Sequence, residues 1–170
     1  INARIASLVA ERVRPDDIVW VHDYQLFPLA ALLRAAGVRN RIGFFLHTPF
    51  ADPQRLSRTP FAGRLARWLR AFDLVGLQTE RDVAAVRTFL ASAGTAGAGD
   101  DGPALMCDPI GIDTTAFAAA AESAEVTDPA LSTALSAIGT APFAIAIDRI
   151  DYSKAIPERI DAFARFRARR

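Results

Sequence analysis

Two short apolar runs, Ile18 to Val21 and Ile42 to Leu46, are each broken off by a histidine, His22 and His47. Runs of this length, rich in β-branched and aromatic residues, read as buried strands. Between them Leu26, Leu29, Ala30, Leu32 and Leu33 recur at helical spacing, and Gly37 supplies a helix stop. Strand, helix, strand is the parallel crossover, and it commits this stretch to an α/β sheet. Ligands of such sheets bind outside the carboxyl ends of the strands. Those ends carry His22, Asp23 and Tyr24 after the first run, and His47, Thr48 and Pro49 after the second.

The same grammar continues on both sides. A helix over Ala3 to about Val13 precedes the first strand and stops before Arg14, Pro15 and Asp16. After Asp52 the sequence predicts a helical turn through Gln54 to Arg58, then a helix from Phe61 to Phe72. Its Leu65, Trp68, Leu69 and Phe72 face inward, and Arg64, Arg67 and Arg70 form a mostly outward row. Leu74 to Leu77 is a third strand ending in Gln78, Thr79 and Glu80, and Thr79 or Glu80 starts a helix buried through Val83, Val86, Phe89 and Leu90. Residues 91–102 read as an exposed loop. Leu105 to Ile110 enters the sheet edge, where Pro109 limits pairing.

Beyond Ile112 the texture changes. An alanine-rich helix runs from Thr114 to about Ala124 with Asp113 as its cap, and a second starts at Asp128 and Pro129 and ends near Ile138. Phe143 to Ile147 reads as a buried strand, followed by a polar turn from Asp148 to Lys154 and a helix carrying Ile160, Phe163 and Phe166. The expected organisation is the end of one doubly wound domain, 1–112, and the start of another, 113–170.

Composition removes several function classes. With 51% hydrophobic residues the chain is not disordered, and a net charge of +1 gives no basic surface for nucleic acid. No apolar run approaches the roughly 20 residues that span a bilayer, so no membrane partner is expected. Cys107 is the only cysteine, which excludes an internal disulfide and points to a reducing, cytoplasmic setting. Two scattered histidines and one cysteine do not make a metal site. The chain begins on Ile1 within a helical pattern and ends on Arg169 and Arg170 without a helix stop, so it reads as an internal piece of a longer protein.

Lys154 is the only lysine among twenty basic residues, which marks a place where a compact ammonium suits better than a planar guanidinium. Neutral histidine, carboxylate, arginine and lysine at strand ends are what a phosphorylated, hydroxyl-rich ligand requires. The helix opening at Ala155 adds backbone N–H groups and a positive dipole end near Arg149 and Lys154. Plainer roles stand beside these: Asp23 as a cap for a helix opening at Tyr24, and Arg149 bridged to Asp148 or Asp151. Trp20 and Tyr152 are expected in the core, and His22 and Gln78 in supporting hydrogen bonds.

The strings Val19-Trp20-Val21-His22-Asp23-Tyr24-Gln25-Leu26 and Arg41-Ile42-Gly43-Phe44-Phe45-Leu46-His47-Thr48-Pro49-Phe50 open a series of five motifs. Gly76-Leu77-Gln78-Thr79, Pro109-Ile110-Gly111-Ile112-Asp113 and Arg149-Ile150-Asp151-Tyr152-Ser153-Lys154 complete it. In this order they resemble the trehalose-6-phosphate synthases, retaining glycosyltransferases with two Rossmann-like domains in a GT-B-type architecture. The resemblance implies that 1–112 ends the N-terminal, acceptor-side domain and that 113–170 begins the nucleotide-sugar-binding one. It further implies transfer of glucose from UDP-glucose, a substrate and not a cofactor, to glucose 6-phosphate. Asp23 and Tyr24 then look like acceptor-binding residues and His47 like the histidine at the reaction centre beside the donor sugar. Arg149 and Lys154 look like the catalytic pair on the UDP diphosphate. Neither cofactor nor metal is implied, and homo-oligomerisation stays open.

Three positions depart from the family pattern: Ala155 where glycine is usual, Gln25 for a second histidine, and Ala51 for proline. The donor loop and acceptor-side aromatics of the family are expected before Ile1, and its ribose-binding carboxylates after Arg170, so the 170 residues alone are expected to be inactive. Two alternatives remain: a glucosylglycerol-phosphate synthase, and a non-catalytic synthase-like regulatory domain. A dinucleotide oxidoreductase is disfavoured, because no G-x-G-x-x-G turn follows a strand.

Overall fold

Four strands, β1 (Val19–His22), β2 (Ile42–Phe45), β3 (Leu74–Leu77) and β4 (Ala104–Cys107), pair in parallel in the order in which the chain makes them. The computed structural model describes residues 1–93, 102–123 and 127–169, and the chain divides into two compact units, Ile1–Ile112 and Asp113–Arg170. All four strands lie in the first. The expected loop over 91–102 and the end of the helix at Ala124 fall largely or wholly outside the described residues.

The helices of this unit are α1 (Asn2–Ala10), α2 (Leu29–Ala35), α3 (Pro53–Ser57), α4 (Ala62–Arg70) and α5 (Glu80–Ser92). Because the strands advance in one direction, right-handed crossovers put the connecting helices on one face of the sheet. Val21, Ile42, Phe44, Val75 and Leu77 of the sheet accordingly form one buried cluster with Leu33 of α2, Leu69 of α4 and Phe89 of α5. Phe44 is fully buried at its centre, with Phe27 and Phe72 rings 5.0 and 4.9 Å away. Burial of such a side chain contributes about 3 kcal/mol.

Local chemistry sets the helix ends. Gly37, at φ +85, closes α2 in the left-handed region, and its N–H bonds the Arg34 carbonyl at 3.0 Å. The Asp52 carboxylate accepts from the Arg55 N–H at 2.8 Å and starts α3. Thr79 and Asp82 cap α5 reciprocally: Thr79 Oγ1 accepts from the Asp82 N–H at 3.1 Å and donates to Asp82 Oδ2 at 2.6 Å. Arg70 departs from the outward row, since it turns in to donate to the Leu90 carbonyl at 2.7 Å and tie α4 to α5.

The opposite face of the sheet carries Trp20, His22, Gly43, Phe45 and Gly76, placed together by the registers Trp20 with Gly43, His22 with Phe45, and Phe45 with Gly76. Here each aromatic lies on the glycine of the next strand. A Cβ on Gly43 would run into the Trp20 ring, and one on Gly76 would stand 2.7 Å from Phe45 Cδ2. Trp20 is therefore not core as expected but 46% exposed.

The second unit holds α6 (Thr114–Ser123), α7 (Pro129–Ile138), a 3-10 turn (Tyr152–Lys154) and α8 (Ile156–Ala168). Asp113 and Asp128 cap their helices: Asp113 accepts from the Ala116 N–H, and Asp128 from the Ala130 and Leu131 N–H groups. The expected strand over 143–147 does not form. Its backbone runs unpaired and Phe143, Ile145 and Ile147 are exposed, because no other strand exists among the described residues of this unit to complete a ladder. Tyr152, expected in the core, is also exposed. No helix among the described residues is long and apolar enough to cross a membrane.

Candidate active site

In the first unit the site begins where β1 and β2 stop side by side. The Asp23 N–H continues the ladder to the Phe45 carbonyl at 2.9 Å, and then the chain turns sharply, with Asp23 at φ 71 and ψ 158. That region is essentially reserved for glycine, so an aspartate held there costs on the order of 1–3 kcal/mol. The turn leads into a 3-10 segment, Tyr24–Leu26, which Asp23 precedes without any side-chain cap bond. The helix-cap role for Asp23 is thus overturned. Its Oδ1 instead accepts from the backbone N–H of His47 at 3.2 Å, across to the end of the neighbouring strand.

His47 is gripped a second time through its ring. Its Nε2 lies 2.8 Å from Nδ1 of His22, with the two ring planes within 18° of parallel and their centroids 5.1 Å apart. Trp20 meets His22 edge-on at 5.7 Å, and Phe45 leans on His47 at 4.9 Å. Asp23, His22 and His47 are thereby one connected group. Tyr24, 54% exposed, lines an apolar cavity of about 260 Å³ with Phe27, Thr48, Pro49, Phe50 and Trp68.

The loop after His47 is fastened from beneath. Buried Asp82, besides capping α5, accepts from the Phe50 N–H at 2.9 Å. Sequence reasoning did not single out Asp82, although the Thr-x-x-Asp spacing after the third strand was a signal for it. Gln78 accepts from the Ile110 N–H at 2.9 Å and holds the segment after β4. Next to it, partial burial and then the Glu80 carboxylate, helped by Asp108 and Asp82, push the Cys107 thiol above its ordinary range, which makes it a poor nucleophile.

The second unit brings Arg149 and Lys154 into one turn. Asp151 accepts from the Ser153 N–H at 2.9 Å and shapes it. That bond and the Ser153 hydroxyl, with Arg149 and Lys154 adding to them, hold the Asp151 carboxyl below its usual range. Arg149 Nη2 stands 3.8 Å from Asp151 and Lys154 Nζ 3.8 Å from Asp148, both loose pairs, while Arg159 of α8 holds Asp148 at 2.9 Å. The bridge weighed for Arg149 exists only in this long form, with the guanidinium 83% exposed. Arg159 is a cation that the sequence reading missed, since an arginine in a first helical turn carries no signal of its own. Ala155 closes the turn at φ 48 and ψ 44, in the left-handed region, and α8 starts on it with no side-chain cap. Among the described residues no cluster of histidine, cysteine and carboxylate could hold a metal ion.

The sequence model of glycosyltransferase family 20 matches residues 1–170. The chain is 39% identical over 174 residues to a trehalose-6-phosphate synthase of Sinorhizobium fredii, covering 98% of the chain and 37% of that protein. Two solved structures superpose on it. An α,α-trehalose 6-phosphate synthase from Burkholderia multivorans gives a TM-score of 0.87 at 38% identity, over 99% of this chain and 38% of that one. A UDP-forming α,α-trehalose-phosphate synthase from Burkholderia xenovorans, in complex with glucose-6-phosphate, gives 0.85 at 35% identity, over 99% and 40%. The chain thus spans about two fifths of the length of these relatives.

Proposed function

The chain belongs to glycosyltransferase family 20, and on that premise we propose that the protein transfers glucose from UDP-glucose to glucose 6-phosphate, giving trehalose 6-phosphate and UDP with the anomeric configuration retained. The carrying observation is the Asp23 carboxylate, held in a backbone shape that costs energy and bonded to His47 at the ends of adjacent parallel strands. Strain of that kind persists where a side chain must be displayed. In this reading Asp23 accepts hydrogen bonds from acceptor hydroxyls, Tyr24 flanks the acceptor, and His47 lies at the donor sugar. Arg149 and Lys154 bind the diphosphate. As the C1–O bond to UDP breaks, its electrons leave on the phosphate, and two fixed cations there stabilise the transition state more than the ground state. The acceptor hydroxyl bonds C1 and passes its proton to the phosphate oxygen that departs with UDP. The chemistry needs neither metal nor redox cofactor.

Residues 1–112 act on the acceptor side and 113–170 on the nucleotide side of this reading. The protein works in the cytoplasm, and the 170 residues alone do not turn over; glucosyl transfer by that piece would overturn this last point. The test of the whole uses the full-length protein with UDP-glucose and either glucose 6-phosphate or glycerol 3-phosphate, measuring UDP release. Release with the first acceptor supports the synthase; release only with the second makes the protein a glucosylglycerol-phosphate synthase. No release with either favours the regulatory reading, whose motivating observation is the strained Ala155 beside Lys154.

A further inference from the structure

We propose that His22 is a positioning residue for His47, occupying Nε2 of His47 through one imidazole–imidazole hydrogen bond so that Nδ1 is the nitrogen presented to the ligand. The proposal rests on the reading of His47 as the residue at the reaction centre. His22 closes β1 and is in register with Phe45, so its ring stands on the sheet; His47 lies past the end of β2, on a loop. The anchored ring therefore holds the less anchored one. Their facing nitrogens are 2.8 Å apart, and a gap of that size takes one proton: one ring donates and the other accepts. Nε2 of His47 is thereby occupied. Nδ1 has no hydrogen-bond partner among the described residues and is the ring atom left for a sugar hydroxyl.

Three neighbours keep the pair in line. Trp20 meets His22 edge-on, Phe45 supports His47, and the Asp23 carboxylate fixes the His47 backbone. Consecutive residues His22 and Asp23 thus hold the same residue by its ring and by its main chain. A packing pair needs no such nitrogen-to-nitrogen alignment.

The experiment uses the full-length protein with ¹⁵N-labelled histidine. In the wild type, imidazole ¹⁵N spectra are expected to show a coupling through the hydrogen bond between His22 Nδ1 and His47 Nε2. His22→Phe keeps a ring against Trp20 and removes the nitrogen: the His47 Nε2 resonance is expected to shift as its hydrogen bond is lost, and kcat to fall roughly tenfold, the size of one positioning hydrogen bond. KM for glucose 6-phosphate stays unchanged. His22→Asn, whose amide can stand where Nδ1 stood, is expected to restore most of the rate. Absence of that coupling in the wild type overturns the proposal even if His22→Phe fails to fold. So does a His22→Phe protein with unaltered His47 spectra and kcat, or an Asn variant no better than Phe. Failure of the underlying reading looks different, since His47→Asn would then retain full activity.

Discussion

Asp23 offers a test in which glycine and alanine exchange their usual ranks. At an ordinary position glycine is the poorer residue by about 0.5–1 kcal/mol, because its unfolded chain has more freedom to lose. At φ 71 and ψ 158 an alanine keeps the backbone strain of on the order of 1–3 kcal/mol, while glycine is free of it. Both substitutions delete the bond from the His47 N–H and so lose the same contact. The difference between Asp23→Gly and Asp23→Ala therefore isolates the backbone, and glycine should be ahead by about 1 kcal/mol. Urea unfolding of the two full-length variants, followed by tryptophan fluorescence and compared at equal m-values, reads this directly. Both should lack glucosyl transfer. An alanine variant more stable than the glycine one would show that Asp23 is not held in a strained conformation, and its backbone would then no longer mark a site.

Gly43→Ala should displace the Trp20 ring that lies on Gly43 and, through the edge contact of Trp20 with His22, weaken the hydrogen bond from His22 to His47; the ¹⁵N spectra check it. Lys154→Ala should lower UDP release on the order of 10² to 10³ fold, as for other groups that stabilise developing charge, and an unchanged rate would remove Lys154 from the chemistry. The Asp151 carboxyl is held below its usual range by Ser153, Arg149 and Lys154, so what it contributes is present above the unfolded value of about 3.9 and is lost as pH falls through the lower folded value. Amide exchange at Ser153 should accordingly be protected down to that range and loosen only below it, and Asp151→Asn should abolish this acid dependence. Ala155→Gly should leave the turn no weaker and up to about 1 kcal/mol more stable, with a lower KM for UDP-glucose.

What the sequence made legible followed from periodicity and punctuation. Strands two and three, the stop at Gly37, the cap Asp113 and the helix start at Asp128 each rest on chemistry local to a few residues and stand in the structure where the residues put them, while strand one runs one residue later than expected and takes in His22. The strand expected over 143–147 failed for a non-local reason: an apolar run becomes a strand only when another offers it a ladder, and its residues carry no record of whether one is within reach. Trp20 was misplaced because apolarity was read without the register that lays its ring on Gly43. Arg70 was misplaced because an arginine at the end of one helix can reach the carbonyl end of another. The contact of His22 with His47 was within reach, since two histidines that end adjacent parallel strands stand on one edge of one sheet; what was missing was the distance between their nitrogens.

Among the described residues only two that are not glycine take a positive φ, Asp23 and Ala155, and each stands in a turn with candidate site residues, one in each unit. The coincidence separates into unlike cases. At Asp23 the strained residue owns the carboxylate that holds His47, so relief by glycine removes the very group that the turn displays. At Ala155 the methyl makes no hydrogen bond and displays nothing, while the work of the turn belongs to Asp151 and Lys154 on the residues before it. Strain that delivers a functional group resists substitution; strain that delivers none is open to it. Asp23→Gly should consequently abolish transfer while easing the fold, whereas Ala155→Gly should ease the fold and keep transfer. If both behaved alike, the positive φ at these turns would be an accident of loop geometry rather than a mark of the site.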